Sequence, residues 1–426
     1  MRSSNDETEA TQSRDVIVIG GGPAGSTAAT ILARHGYDVA VYEALEFPRV
    51  HVGESLIPAC NRVLERLGVT EAMSRLGCPE KFGVRFYTER GAGRPFYFSE
   101  ASDPALHSTW QVRRSEFDTM LLDTARAAGA MVHVRTPVRE LLVTPGAGSE
   151  RPTDRIDGVV AVRPDGSHER VRARVVLDAS GQRGVVTKHF GVRDHVSGLE
   201  NAAVWAHFSG VRLDEGKDAG STLIYRVDRT TWLWLIPLPD DVSIGVVTPM
   251  RSLTEYGRDP ASILAAAIEA CPAIGDRLDA AERVAPVRVS KDFSYRARRE
   301  GGRGWALIGD ALGFMDPVYS SGLFLALRSA ELAADAVHER LAASRDRDGA
   351  IDMHGFGTAY HEAFEQFLVI VRAFYSPDFH FGDFAREGER RKGLVDLFTG
   401  DVMSEQALRV AREIRERCKL PSRRAS

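Results

Sequence analysis

The chain has 426 residues, 43% of them hydrophobic, and a formal net charge of −4. That length allows two packed lobes, each with its own core, and the slightly acidic balance gives no footing for a nucleic-acid partner. Cys60, Cys78, Cys271 and Cys418 are scattered without paired spacing, so neither a disulfide framework nor a bound metal is expected, and a reducing cytoplasm is the expected compartment.

Residues 1–14 are polar and lack the basic-then-apolar layout of a signal peptide, which predicts a disordered leader. No apolar run is long enough to span a bilayer, so a soluble protein with no membrane partner is expected. Residues 15–20 (DVIVIG) predict a strand that runs into GGGPAG, where Gly20, Gly22 and Gly25 fill the pattern G-x-G-x-x-G. A helix follows over about 24–35, then a strand over 38–42 that ends on Glu43. These are the parts of a dinucleotide-binding βαβ unit. The glycines permit a tight turn and let a pyrophosphate approach the helix N-terminus, and the acid accepts from ribose hydroxyls.

Residues 47–59 (FPRVHVGESLIPA), broken by Pro48 and Pro58, predict a loop laid along the cofactor. Helical patterns run over 60–67 and 71–76, and alternation over 84–98 predicts two strands. A helix over 114–128 and a strand over 131–134 return the chain to the first sheet. Strands near 138–143 and 158–162 are followed by the turn Pro164 to Ser167, and then Val175, Val176 and Leu177 enter a second glycine turn at Asp178 to Gly181.

From 202 to 250 the pattern is all strand (VWAHF, STLIYRV, TWLWLIPL, SIGVVT), which predicts a separate antiparallel sheet inserted in the nucleotide fold. After a helix over 261–270 and a short strand near 287–289 comes GDALGFMDPVYSSG, Gly309 to Gly322. It reads as a strand, a turn closed by Asp316 and Pro317, and a helix from Gly322 to about 341. The amides of Ser321 and Gly322 at that helix N-terminus favour a small anion. Further helices are predicted over 356–373 and 404–418, with an aromatic cluster from Phe374 to Phe384 between them. The last stretch is basic, with Arg409, Arg412, Arg415, Arg417, Lys419, Arg423 and Arg424. The expected division is a leader (1–14), a discontinuous nucleotide-binding part (15–200 and 285–345), an antiparallel sheet (201–284) and a C-terminal helical region (346–426).

Four features together resemble the FAD-dependent halogenases, a branch of the para-hydroxybenzoate hydroxylase-like flavoproteins: GGGPAG, HVGES at His51 to Ser55, W-x-W-x-I-P from Trp232 to Pro237, and DPVYSSG at Asp316 to Gly322. The resemblance runs from Asp15 to about Arg417. It implies a mixed α/β fold of the para-hydroxybenzoate hydroxylase type, with a Rossmann-like FAD-binding part, an inserted antiparallel substrate sheet and a helical C-terminal region.

In that family reduced FAD and oxygen oxidise chloride to hypochlorous acid, which is guided to a lysine that activates it, by hydrogen bonding or as a chloramine, and delivers it to the substrate. Here the lysine matches Lys81. An amine near neutrality can be chlorinated and a solvated ammonium cannot, so burial of Lys81 is expected to lower its pKa. The resemblance places Trp232 and Trp234 beside the flavin, where they suppress monooxygenation. It assigns Gly20, Gly22, Pro23, Ala24, Gly25, Glu43, Glu54, Ser55, Arg114, Asp310 and Gly322 to FAD, and chloride to the amides of Ser321 and Gly322.

Tryptophan halogenases carry an acid directly before the Ser-Thr-Gly of this loop, where this chain has Tyr319. That departure is similar to halogenases of phenols and pyrroles, and above all to short pyrrole halogenases acting on a ring tethered to a peptidyl carrier protein. The implied activity is an FADH2-dependent chlorinase of natural-product (antibiotic) biosynthesis, with a separate flavin reductase and an acyl or peptidyl carrier protein as partners. The basic C-terminal face is either a solvated helix surface or a contact for an acidic carrier. The rival reading is an aromatic monooxygenase or geranylgeranyl-reductase-like enzyme of the same fold.

Overall fold

The computed structural model describes residues 12–146, 154–257, 259–291, 294–346 and 349–421. Most of the expected leader, and Arg423 and Arg424, lie outside the described residues. Residues 12–14 depart from the leader expectation, because they open the strand Gln12–Ile19. The long strand His168–Asp178 offers them a parallel partner edge, with Gln12 opposite Val171 and Arg14 opposite Ala173.

The first sheet runs in the order Gly301–Gly302, Trp305–Leu307, His168–Asp178, Gln12–Ile19, Val39–Tyr42, Met131–His133. Its parallel heart is a continuous apolar run, Val16, Ile17 and Val18 being fully buried, as expected of strands covered on both faces. Helices Pro23–Arg34 and Gly322–Ala343 pack together, so the first glycine turn and the loop 309–322 meet over this sheet. Strands Val138–Thr144 and Arg155–Val162 extend it as an antiparallel flap on His168–Asp178.

The second sheet follows the order Glu282–Arg283, Asn201–Ser209, Val242–Pro249, Trp232–Pro237, Thr222–Arg226, Gly83–Thr88, Gly91–Ala92, with Arg288–Ser290 also paired to Asn201–Ser209. It is antiparallel except where Gly83–Thr88 lies parallel to Thr222–Arg226. Sheet membership therefore crosses the expected division at 200 and 285. The open edge of Thr222–Arg226 recruits a strand from far upstream, and Asn201–Ser209 recruits one from just past 285.

Alternation splits the second sheet's residues between two cores. Ala203, Trp205, Trp232, Trp234 and Ile236 join the main core, while Val204, Ala206, Leu233, Leu235 and Ile244 pack with Ile263, Leu264 and Ala267 of the helix Pro260–Glu269.

The C-terminal region contains Thr358–Tyr375, Gly388–Thr399 and Glu405–Arg417. The middle helix has no counterpart in the sequence expectation, because its buried face carries Arg391 and Asp396 and so breaks the apolar period. Arg391 pairs with Glu100, and Asp396 accepts from the amide and hydroxyl of Ser102, both at 2.7 Å. Among the described residues no helix is long and apolar enough to cross a membrane, and no cluster of side chains could hold a metal ion.

Candidate active site

A cavity of about 650 Å3 opens between the ends of the parallel strands and the second sheet. Gly20, Gly22, Pro23, Ala24 and Glu43 line one side, and Ala179, Ser180 and Gly181 of the second glycine turn adjoin them. Gly20 has φ of +104°, and a Cβ there would meet the Ala179 carbonyl oxygen at 2.4 Å, so only glycine fits. Gly25 is not on the wall. A Cβ at Gly25 would fall 1.9 Å from the Gly20 carbonyl oxygen, so its bareness seats the helix on the turn. Glu43 fastens the same turn: its Oε2 accepts from the Gly21 amide and its Oε1 from the Leu45 amide, each at 2.7 Å.

A buried ion cluster forms the next stretch of wall. Arg114 grips Asp118 through Nε at 2.7 Å and Nη2 at 2.9 Å, and its Nη1 donates to the Val52 carbonyl at 2.7 Å. Arg49 reaches Asp118 at 3.2 Å. These contacts pin the polar loop 47–55 along the cavity. His51 lies on the cavity side of this loop, and its crowded surroundings, with the charges of Arg114 and Arg49, hold it below the ordinary histidine range. Asp310 faces the cavity from the short turn Gly309–Ala311. Burial pushes its carboxyl up to about 6 against the pull of Arg114, Arg193 and Arg49.

Trp232 and Trp234 share one face of their strand and both line the cavity, with ring centroids 6.1 Å apart. Trp234 is fitted over Gly245, where a Cβ would lie 2.3 Å from its ring, and its indole donates to Ser243 Oγ at 3.1 Å. The Trp232 indole donates to the Tyr375 hydroxyl at 2.7 Å, which in turn donates to Asp316 Oδ2 at 2.8 Å. Asn201 Nδ2 donates to the same oxygen at 2.8 Å. Burial pushes Asp316 up to about 6, and these donors oppose the rise. One carboxylate thus ties the second sheet, the end of a C-terminal helix and the loop before Gly322.

In that loop Gly322 and Ser320 line the cavity. Ser320 has φ of +57°, an unusual conformation for a side-chain-bearing residue. Ser321 is buried behind them, and its hydroxyl has no partner among the described residues. Tyr319 points away into an aromatic cluster, stacking on Phe398 at 5.0 Å and meeting Phe374 edge-on.

Lys81 is 2% exposed and lies beyond the cavity lining. Its Nζ donates to the Leu56 carbonyl at 2.9 Å and is 2.9 Å from Ser55 Oγ. Ser55 and Thr222, which are on the lining, therefore stand between cavity and amine. Burial pushes the amine down to about 7. Ser55 is thus a neighbour of the lysine as well as a wall residue. Glu54, also on the lining, pairs with His207 Nε2 at 2.8 Å, and its Oε2 has no partner among the described residues. The Glu54 carboxylate holds His207 above the ordinary histidine range despite burial, which acts the other way.

Asn201, His207, Thr222 and Gln111 escape sequence reasoning, and Tyr375 is readable only as a member of the aromatic cluster. The partner of each is remote in the chain, so no local motif marks its contact.

The family model described as FAD binding domain matches residues 13–348. The cavity suits that cofactor. The glycine turn lets a pyrophosphate reach the amides of a helix whose first turn has no acidic residue, and Glu43, Asp310 and the free Glu54 Oε2 offer acceptors to hydroxyls and ring N–H groups.

The chain is 28% identical to a 1H-pyrrole-2-carbonyl-(peptidyl-carrier protein) chlorinase of Pseudomonas fluorescens, over 94% of this chain and 92% of that one. It is 33% identical to the corresponding brominase of Pseudoalteromonas luteoviolacea, over 78% of each. The structure of the flavin-dependent brominase Bmp2 superposes with a TM-score of 0.83 at 28% identity, covering 95% of this chain and 98% of that one. A shared fold along nearly the whole length, with this level of identity, leaves one family: the chain belongs to the flavin-dependent halogenases, enzymes that bind FAD and halogenate their substrate.

Proposed function

We propose that this halogenase chlorinates an electron-rich ring, a pyrrole or a phenol, presented on an acyl or peptidyl carrier protein, with reduced FAD supplied by a separate reductase. The observation that carries the proposal is the buried Lys81 amine, near neutrality and parted from the flavin cavity by two hydroxyl side chains. Bound FAD in its reduced form supplies, with oxygen, the oxidising power that turns chloride into electrophilic chlorine.

The chain's own residues do the rest. Gly20, Gly22, Pro23, Ala24 and Gly25 shape the phosphate turn. Glu43, Arg114 and Asp310 hold the cofactor's polar edge, and Glu54 and Ser55 border it. Trp232 and Trp234 wall off the space in which water or substrate would intercept the oxidant. Chloride lies at the Gly322 amide, with Ser321 behind it, where a helix N-terminus favours an anion. Lys81 activates hypochlorous acid either by a hydrogen bond or as a chloramine, in which case the N–Cl bond forms as the O–Cl bond breaks and the hydroxide leaves with an amine proton as water; the chlorine then passes to the ring. The carrier partner follows the substrates named for the two pyrrole relatives.

The test supplies reduced FAD, oxygen and chloride with pyrrolyl-loaded carrier protein, free pyrrole-2-carboxylate and free phenols, and reads products by mass spectrometry. Chlorine on the tethered ring is expected. Equal turnover of the free acid overturns the tethered reading, and preference for bromide at equal halide concentrations overturns the chloride reading.

A further inference from the structure

Oxidising chloride consumes a proton. Reduced FAD, oxygen, chloride and one proton give FAD, hypochlorous acid and one water; two electrons leave the flavin, two leave the chloride, and oxygen takes all four. Among the described residues the acids on the cavity wall are Glu43, Glu54 and Asp310. Both oxygens of Glu43 hold backbone amides. Asp310 faces Arg114, Arg193 and Arg49, and guanidinium groups do not release protons. Glu54 differs, because its partner is a histidine.

That pair is buried and fixed. The Glu54 carbonyl accepts from the Val112 amide at 2.7 Å, and His207 sits in mid-sheet, opposite Ser243, with its carbonyl accepting from the Val284 amide at 2.9 Å. Glu54 Oε1 and His207 Nε2 are 2.8 Å apart, and Glu54 Oε2 has no partner among the described residues. The other ring nitrogen, Nδ1, lies 3.8 Å from Asp241 Oδ2. Arg113 holds Asp241 from outside, with Nη2 3.1 Å from Oδ1. The groups facing His207 are therefore Glu54, Asp241 and Arg113, together with the uncharged ring of Trp205 at 5.4 Å. Two arrangements satisfy these contacts. In one an imidazolium donates from Nε2 to a carboxylate; in the other a protonated Glu54 donates to Nε2 while the hydrogen on Nδ1 faces Asp241. A proton crossing one hydrogen bond interconverts them.

We infer that His207 is a positioning residue that holds a proton in reserve for Glu54, which hands it to the flavin cavity when chloride is oxidised. The N–H bond at Nε2 breaks as an O–H bond forms at Oε1, and a turn of the carboxyl presents the proton to the cavity. Water entering the open cavity between turnovers returns a proton by the same route. The inference rests on the chloride oxidation proposed above, but not on the ring or the carrier.

The test measures hypochlorous acid trapped by taurine, with reduced FAD, oxygen and saturating chloride, in Lys81→Met so that the lysine's own titration does not enter. The rate is expected to fall as pH rises through the midpoint that 15N NMR gives for His207 in the same FAD-loaded chain, the resonance being assigned among twelve histidines by His207→Gln. His207→Gln keeps an N–H for Glu54 but has no proton to release. Its rate is expected to be about a hundredfold lower, without that pH limb and with unchanged FAD affinity. Should His207→Gln lose FAD, Asp241→Asn, which is off the cavity wall, is expected to lower the NMR midpoint and to move the rate limb by the same amount. Full rate in folded His207→Gln, a limb near pH 6 where Asp310 titrates, or a limb that stays while the midpoint moves overturns the inference. Trapped oxidant without any chlorinated ring from the wild type would instead overturn the proposed substrate and leave the role of His207 standing.

Discussion

Burial lowers the Lys81 amine to about 7, so from that region upward the folded chain gives up a proton that the unfolded chain keeps until far higher pH. Above pH 7 the unfolded state thus binds more protons than the folded state, and stability rises with pH until both forms are neutral above about 10.5. Relative to Lys81→Met, which has no such dependence, the wild type is expected to gain about 2 kcal/mol between pH 7 and pH 9. Urea unfolding at the two pH values measures it, and a parallel pair of curves would contradict the burial argument. On the chemical side, Lys81→Ala is expected to keep flavin binding and peroxide release while yielding no halogenated product. Product at wild-type level, read against peroxide in the same assay, would remove Lys81 from the mechanism. Lys81 itself was legible only through the family resemblance, since composition cannot tell a buried lysine from a surface one. Its surroundings were legible only in part: Ser55 stood in the sequence as a cofactor residue and not as a neighbour of the lysine, and the hydroxyl it meets, Thr222, lies 167 positions away.

Between elements, the Asp316 carboxylate is the point where three separately encoded pieces converge. Tyr375, at the end of the helix Thr358–Tyr375, accepts from Trp232 and donates to Asp316, and the Asp316 carboxylate also caps the amide of Val318 at 3.3 Å. Tyr375→Phe leaves a buried indole donor unpaired and removes one donor from the carboxylate, at a cost of about 1–3 kcal/mol. The expected result is a lower melting temperature together with a raised KM for chloride at nearly unchanged FAD affinity, since the loop to Gly322 is loosened and the phosphate turn is not. Equal weakening of chloride and FAD would point to general destabilisation instead. The strand Trp232–Pro237 and the helix Gly322–Ala343 were readable from alternation and apolar period. The helix Gly388–Thr399 was not, because its buried face carries Arg391, paired with Glu100, and Asp396, held by hydrogen bonds from Ser102 and Ser404, which break the apolar stripe.

For the molecule as a whole, the βαβ unit from Gly20 to Glu43 was legible because its turn, helix and acid are neighbours in sequence and their spacing is set by covalent geometry. The sheet memberships of Gly83–Thr88 and Arg288–Ser290 were not, because strand pairing depends on which edge is left open and not on the strand's own residues. The C-terminal region is fastened to the rest at Asp396, which is fully buried and receives donors from Ser102 and Ser404. Asp396→Ala is expected to destabilise the fold by about 3 kcal/mol, and earlier proteolytic cleavage within 376–404 than elsewhere would locate the release. Uniform cleavage would mean that this anchor is shared with other contacts.

The parallel pairing of Gly83–Thr88 with Thr222–Arg226 has a temporal side. A chain made from its N-terminus onward cannot complete the surroundings of Lys81 before residue 222 is available, and it cannot close the flavin cavity before residues 309–323 are. On the proposed mechanism the acceptor of the oxidant is thus assembled ahead of its source. No partly synthesised form would release hypochlorous acid into a protein that has nowhere to put it.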